Sequence, residues 1–102
     1  LTNLNIIIDE NSLIILGRTD DCLKLNPIRK KLEGFGFLVH DCDGHNLLEL
    51  EKAFSDAADK IKVILAKTVK GKGFSIMENK AHFHYWNKLN ESEIQICRKE
   101  IE

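Results

Sequence analysis

The sequence predicts an α/β fold, a parallel sheet with helices packed on its faces, and three observations carry that prediction. Short apolar stretches recur at 5–9, 35–42 and 62–66, the first and last rich in β-branched residues. Segments with helical spacing and helix caps lie between and after them. There is no internal repeat, no low-complexity tract and no linker rich in Pro, Gly or Ser. Strands that alternate with helices pair in parallel through right-handed crossovers.

Asn5-Ile6-Ile7-Ile8-Asp9 is a continuous run of the kind found in strands buried on both faces of a parallel sheet. It ends in the polar turn Asp9-Glu10-Asn11-Ser12. Asn26-Pro27 then reads as an N-cap followed by proline at the first helical position, with Gly34 placed to stop the helix. Ile28, Leu32 and Leu25 are its inward residues. Phe35 to Cys42 is the second strand, ending near Asp41. Asn46 and Glu49 have the spacing of a capping box, and Leu47, Leu50, Phe54, Ala57 and Ile61 the spacing of a helical stripe. This predicts a helix over most of 46–60. Lys62-Val63-Ile64-Leu65-Ala66 is the third strand and leads directly into a glycine-lysine loop. Asn90 or Ser92 caps a last helix reaching Glu102, with Ile94, Cys97 and Ile101 as its inner stripe.

The 102 residues are about one domain in length, with 43% hydrophobic and 30% charged residues. A net charge of -1 argues against nucleic acid or an anionic membrane as the main partner, since both favour a basic excess. The longest apolar runs, Leu13 to Leu16 and Val63 to Ala66, are far below the roughly 20 residues that span a bilayer. Cys22, Cys42 and Cys97 are odd in number and lack CxxC spacing, which suggests neither a disulfide framework nor a cysteine zinc site. A reduced, cytoplasmic setting is the expectation. The first residue is Leu1 with no signal-peptide pattern, so the chain is expected to begin inside a longer protein.

In an open parallel sheet, ligands bind at the carboxyl ends of the strands. Three polar clusters follow the three strands: Asp9 to Ser12, Asp41 to Asn46, and Thr68 to Gly73. All three are therefore expected along one edge. The Asn11 amide oxygen is a hard, neutral ligand suited to Mg2+ or Ca2+, although Asp-Glu-Asn-Ser is equally ordinary turn chemistry. In "KTVKGKGFSIMEN", Gly71 and Gly73 allow sharp turns and close approach. Lys70 there could pair with a phosphate oxygen while loop amides cradle the charge, or the stretch is a solvated basic turn. The spacing is not that of the GxxxxGK[ST] phosphate loop. His82 and His84 alternate with Phe83 and Tyr85 before Trp86. Two histidines alone do not make a zinc site, so the reading is a hydrogen-bond donor or proton shuttle, against a packed aromatic segment. His45 belongs most simply to the turn before the helix cap.

Taken together, "LTNLNIIIDENSLIILG", "FGFLVHDCDGHN" and "VILAKTVKGKGFSIMEN" followed by "HFHYW" resemble the transketolase family of thiamine diphosphate enzymes. The likeness runs over nearly the whole chain and corresponds to the second half of the N-terminal pyrophosphate-binding domain, so residues 1–102 are expected to be the C-terminal part of that domain. Its most specific element is the KTxKGxG loop with a histidine fourteen residues after Lys70. The resemblance implies that Asn11 binds the divalent metal through its side chain and touches the diphosphate. It implies that Leu13 gives that metal a backbone carbonyl, that Lys70 lies at the cofactor, and that His84 approaches both cofactor and sugar donor as the catalytic histidine. His82 has no counterpart, and the usual proline or acidic residue of the loop is absent. Leu16, with Ile14 and Ile15, stands where polar residues are common.

Family members also carry a Gly-Asp-Gly motif upstream, whose Asp is the principal charged metal ligand, and a separate pyrimidine-binding domain. The ten residues before Asn11 hold no such motif. The resemblance thus implies a transketolase-like transferase component acting on sugar phosphates with thiamine diphosphate and Mg2+ or Ca2+. Complementary chains would supply the missing parts within an oligomer, without nucleic acid or membrane partners. Two alternatives stand beside it: a noncatalytic assembly module, and a thiamine diphosphate enzyme of another sugar chemistry such as a deoxyxylulose phosphate synthase.

Overall fold

A computed structural model describes residues 2–85 and 88–102; the predicted role of Trp86 in the aromatic segment lies outside the described residues. The elements run β1 (Asn5–Glu10), β2 (Leu13–Ile14), β3 (Gly17–Arg18), α1 (Thr19–Cys22), α2 (Ile28–Gly34), β4 (Leu38–Asp43), α3 (Leu47–Ser55) and β5 (Lys62–Lys67). A 3-10 helix (Ala81–His84) and α4 (Glu91–Ile101) follow. The chain divides into two compact units, one of residues 1–11 and 25–68, the other of residues 12–24 and 69–102.

The first unit is the predicted α/β sheet. Its strands lie in the order β1-β5-β4, all parallel, with Ile7 opposite Ile64 and His40 opposite Ile64 on the other side. The period-2 alternation of side chains splits the core between the two faces. Val39, Val63 and Leu65 point to one face, where Ile28 and Leu32 of α2 pack with Ile6, Ile8 and Phe37. Cys42, Ile64 and Ala66 point to the other, under Ala53 and Leu50 of α3. Helices therefore cover both faces of the central strand, and Val63, Ile64 and Leu65 have almost no exposure.

Several local expectations are corrected. β1 is not buried on both faces: it lies at one end of this three-stranded order, and Ile7 is 56% exposed. Pro27 is the residue before α2 rather than its first, because its ψ of 101° is extended, and the Asn26–Pro27 bond is cis. Gly34 is the last residue of that helix. The left-handed stop falls on Gly36, φ +88°, whose N–H donates to the Glu33 carbonyl.

The helix predicted to fill most of 46–60 ends at Ser55, because Asp56 is extended. The buried Lys62 then takes the free helix end: its ammonium donates to the carbonyls of Ala53 (2.9 Å) and Phe54 (2.8 Å). The inner face of this helix is Leu50 and Ala53, whereas Leu47 is 80% exposed. The capping of Asn46 is as predicted on one side, its side chain accepting from the amides of Leu48 and Glu49. The Glu49 carboxylate instead accepts from the Asp43 amide and the Asn46 side chain.

The second unit contains elements the sequence reading did not resolve. Leu13 to Leu16, read only as an apolar run, opens a hairpin in which β2 pairs antiparallel with β3, with Leu16 at its tip 82% exposed. The Thr19 amide at the start of α1 donates to the Ser12 carbonyl. α4 starts where predicted, with a full capping box of Asn90 and Glu93. Ile94 and Cys97 are half-buried, but Ile101 is 70% exposed. No helix among the described residues is long and apolar enough to cross a membrane.

Candidate functional site

The strand register of the first unit brings its carboxyl ends into one row, with Glu10 and Asp43 both opposite Lys67. Asp9 to Asn11, Asp41 to Asn46 and Thr68 therefore share the edge at which a parallel sheet binds ligands. The strand ends are cross-tied. The Gly44 amide donates to the Lys67 carbonyl at 2.7 Å, and the Thr68 amide to the Glu10 carbonyl at 3.4 Å. The Asp9 carboxylate accepts from the Thr68 hydroxyl through one oxygen and faces the Asn11 side-chain amide through the other, at 3.4 Å. Asn11 is half-buried at the end of this row, and the left-handed Ser12, φ +60°, turns the chain immediately after it. A non-glycine residue held there is the kind of local strain that clusters at binding sites.

Gly44 is at this edge because nothing larger fits. A Cβ on it would lie 2.5 Å from the Thr68 methyl and 3.1 Å from the Lys67 carbonyl oxygen. Gly44→Ala is expected to lower stability by about 1–3 kcal/mol, the range for overpacking a tight contact. Thermal melting would check this, and an unchanged midpoint would show that the strand ends yield freely.

Leu13, Lys70 and His84 belong to the second unit. The hairpin strand bearing Leu13 packs against the 3-10 helix bearing His84, so the structure brings these two elements together. Lys70 is half-buried at the root of a closed loop, with the Asn79 amide donating to its carbonyl at 2.9 Å. Gly71, φ +76°, is required twice over. Only glycine adopts that conformation readily, and a Cβ would lie 2.7 Å from the Met77 carbonyl oxygen.

Beyond Lys70, the amides of Lys72, Phe74, Met77, Glu78 and Asn79 donate to carbonyls within the loop. The Gly73 amide donates to the Glu78 carboxylate and that of Ser75 to Glu100 on α4. Those hydrogen bonds set the loop's shape.

His84 is exposed and its ring meets Tyr85 edge-on, centroids 5.3 Å apart, while His82 lies against Phe83 at 4.4 Å. Among the described residues no three His, Cys, Asp or Glu side chains are grouped to hold a metal ion. The Asn11 side-chain oxygen is a neutral donor of the kind a hard cation takes, and it brings no charge.

One feature lay beyond sequence reasoning. An open groove of about 640 Å3 between β4 and α3 is lined by His40, Cys42, Glu49, Lys52 and Asp56, with His40 Nε2 3.2 Å from an Asp56 oxygen. None of the predicted site residues lines it. Burial pushes the Cys42 thiol up, with Glu49, Asp43 and Asp41 adding to the effect, so it stays protonated and is a poor nucleophile.

The family described as transketolase, thiamine diphosphate binding domain, matches residues 1–102. Among curated relatives, an apulose-4-phosphate transketolase subunit from Actinobacillus succinogenes is 37% identical over 87 residues, covering 83% of this chain and 32% of the relative. The 6-deoxy-6-sulfo-D-fructose transketolase subunit from a Clostridium species is 35% identical over 105 residues, covering 100% and 38%. Human transketolase is 37% identical over 87 residues, covering 82% and 14%. The crystal structure of transketolase from Campylobacter jejuni superposes with a TM-score of 0.80 at 27% identity, over 97% of this chain and 16% of that one. The chain thus spans about a third of the length of the subunit relatives it matches.

Proposed function

We propose, since this chain belongs to the transketolase thiamine diphosphate-binding domain family, that it works as one component of an enzyme moving a two-carbon ketol unit from a ketose phosphate to an aldose phosphate. When bound, thiamine diphosphate supplies the electron sink that allows a carbon–carbon bond beside a carbonyl to be cut and remade. The residues of this chain bind and orient. Asn11 gives its side-chain oxygen, and Leu13 its carbonyl, to a Mg2+ or Ca2+ ion that holds the diphosphate. Lys70 pairs with a phosphate oxygen. His84 hydrogen-bonds oxygens of the donor sugar and handles their protons.

The observation that carries this reading is the row of strand ends in which Asn11 follows β1, tied through Asp9 to Thr68 at the end of β5. It is the ligand edge of a parallel sheet, carrying a hard oxygen donor. Because Asn11 and Leu13 offer no charge, an acidic ligand from a complementary segment completes the metal site. That segment and the pyrimidine-binding part lie outside these 102 residues, on a longer form of this chain or on partner chains, in keeping with relatives named as transketolase subunits.

Titration calorimetry of thiamine diphosphate and Mg2+ tests this, using the chain alone and mixed with candidate partner chains. Binding only in the mixture is expected. Binding in neither would sink the enzymatic reading and leave an assembly module. A second expectation concerns Lys70→Ala in the complete assembly. Loss of one hydrogen bond to a charged group, about 1.5–3 kcal/mol, should raise the thiamine diphosphate concentration for half activity roughly 10- to 100-fold. No change would return Lys70 to the surface of a solvated turn.

A further inference from the structure

We propose that Asp9 is a positioning residue that aims the Asn11 amide at a divalent cation. The inference rests on the reading of Asn11 as a metal-binding residue and adds the group that sets its orientation. Asp9 lies one residue before the end of β1 and uses its two carboxylate oxygens differently. One accepts from the hydroxyl of Thr68, and the other faces Asn11 Nδ2 at 3.4 Å.

Thr68 is itself fixed. Its amide reaches the Glu10 carbonyl, and its methyl occupies the space that a side chain on Gly44 would need. The carboxylate is therefore held against β5 and cannot swing away with the loop that follows β1.

An ionised carboxylate only accepts hydrogen bonds. It selects the NH2 edge of the Asn11 amide, and the carbonyl oxygen of that planar group is then turned to the other edge. The last torsion of an asparagine side chain is broad and nearly two-fold, so without a partner either edge can be presented. An NH2 edge presented to a cation repels it, whereas the oxygen binds. Asp9 removes that ambiguity, and the 3.4 Å separation leaves room for the contact to shorten when a cation draws on the amide.

The test is a double-mutant cycle in the complete assembly, read as the Mg2+ concentration for half-saturation in calorimetric titrations at saturating thiamine diphosphate. Turnover is not needed. Asp9→Ala is expected to weaken Mg2+ about 10-fold, the lower end of what groups behind a metal ligand contribute. In an Asn11→Ala background the same change should cost nothing further, because a residue acting through Asn11 has nothing left to aim.

Equal losses in both backgrounds would overturn the proposal, since a structural or long-range charge effect is additive. An unchanged Mg2+ requirement on Asp9→Ala alone would overturn it too. If Asn11→Ala leaves Mg2+ binding unaltered, the assignment of Asn11 itself is wrong, and the role of Asp9 falls with it. Should Asp9→Ala fail to assemble, Thr68→Val keeps the shape and removes the hydroxyl. It should weaken Mg2+ binding several-fold, with Thr68→Ser restoring it. Equal behaviour of Val and Ser would refute the linkage.

Discussion

His84→Ala in the assembled enzyme is expected to lower turnover by about 10²–10⁴-fold, the usual contribution of a positioned proton-handling side chain, while leaving the melting temperature nearly unchanged. The stability half of this expectation follows from its surroundings. His84 ends the short 3-10 helix, is exposed, and meets the Tyr85 ring edge-on. Exposed substitutions of this kind usually move stability by no more than about 0.5 kcal/mol. The kinetic half follows from its chemistry, since an imidazole both donates and accepts hydrogen bonds. His82→Ala is the internal control: it removes the neighbouring ring and should leave turnover alone. Measuring kcat at saturating donor for both variants decides the matter. Unchanged kinetics in His84→Ala with ordinary stability would take His84 out of the site.

The largest effect on stability should come from Ile64→Ala. Ile64 is fully buried on the central strand β5, on the face covered by Leu50 and Ala53 of α3. Removing its three outer carbons leaves a cavity between strand and helix, and such changes cost about 2–5 kcal/mol. For a domain of this size each kcal/mol moves the melting midpoint roughly 4–8 °C. A drop smaller than one such step in a melting experiment would mean that α3 settles into the gap. The companion substitution at Ile7, 56% exposed on the same face, should cost far less.

That contrast between Ile7 and Ile64 also shows where the sequence was readable. The three apolar runs announced three parallel strands, and Asn46 and Asn90 announced two helix starts. A β-branched run has the same composition in the middle of a sheet as at its end, however, so the exposure of Ile7 was not visible in the letters. Leu47 fits the helical stripe as well as Leu50 does; the contact with Ala53 and Ile64 decided between them. The hairpin at Leu13–Arg18 was missed because its strands are two residues each, too short for any alternation.

For the candidate site, Asn11, Lys70 and His84 were proposed from the family resemblance, which the sequence carries in its motifs. The support beneath Asn11 was not legible there. Asp9 and Thr68 are 59 residues apart and meet only through the β1–β5 register. In the same way the self-bonded amides at 72–79 depend on turns at Gly71 and Asn79, whose φ are positive.

The lysine at the start of β5 has one more consequence, for motion. Helix ends ordinarily open first, exchanging their amide protons long before the sheet beneath them lets go. At the end of α3 the last carbonyls are held by Lys62, a residue paired with Asn5 and Leu38 across the central strand. Releasing that turn of helix exposes a buried ammonium that has lost its acceptors. The end of α3 is therefore expected to open with the sheet core, and hydrogen exchange of its last amides as fast as that of an unanchored helix end would show that Lys62 does not hold it.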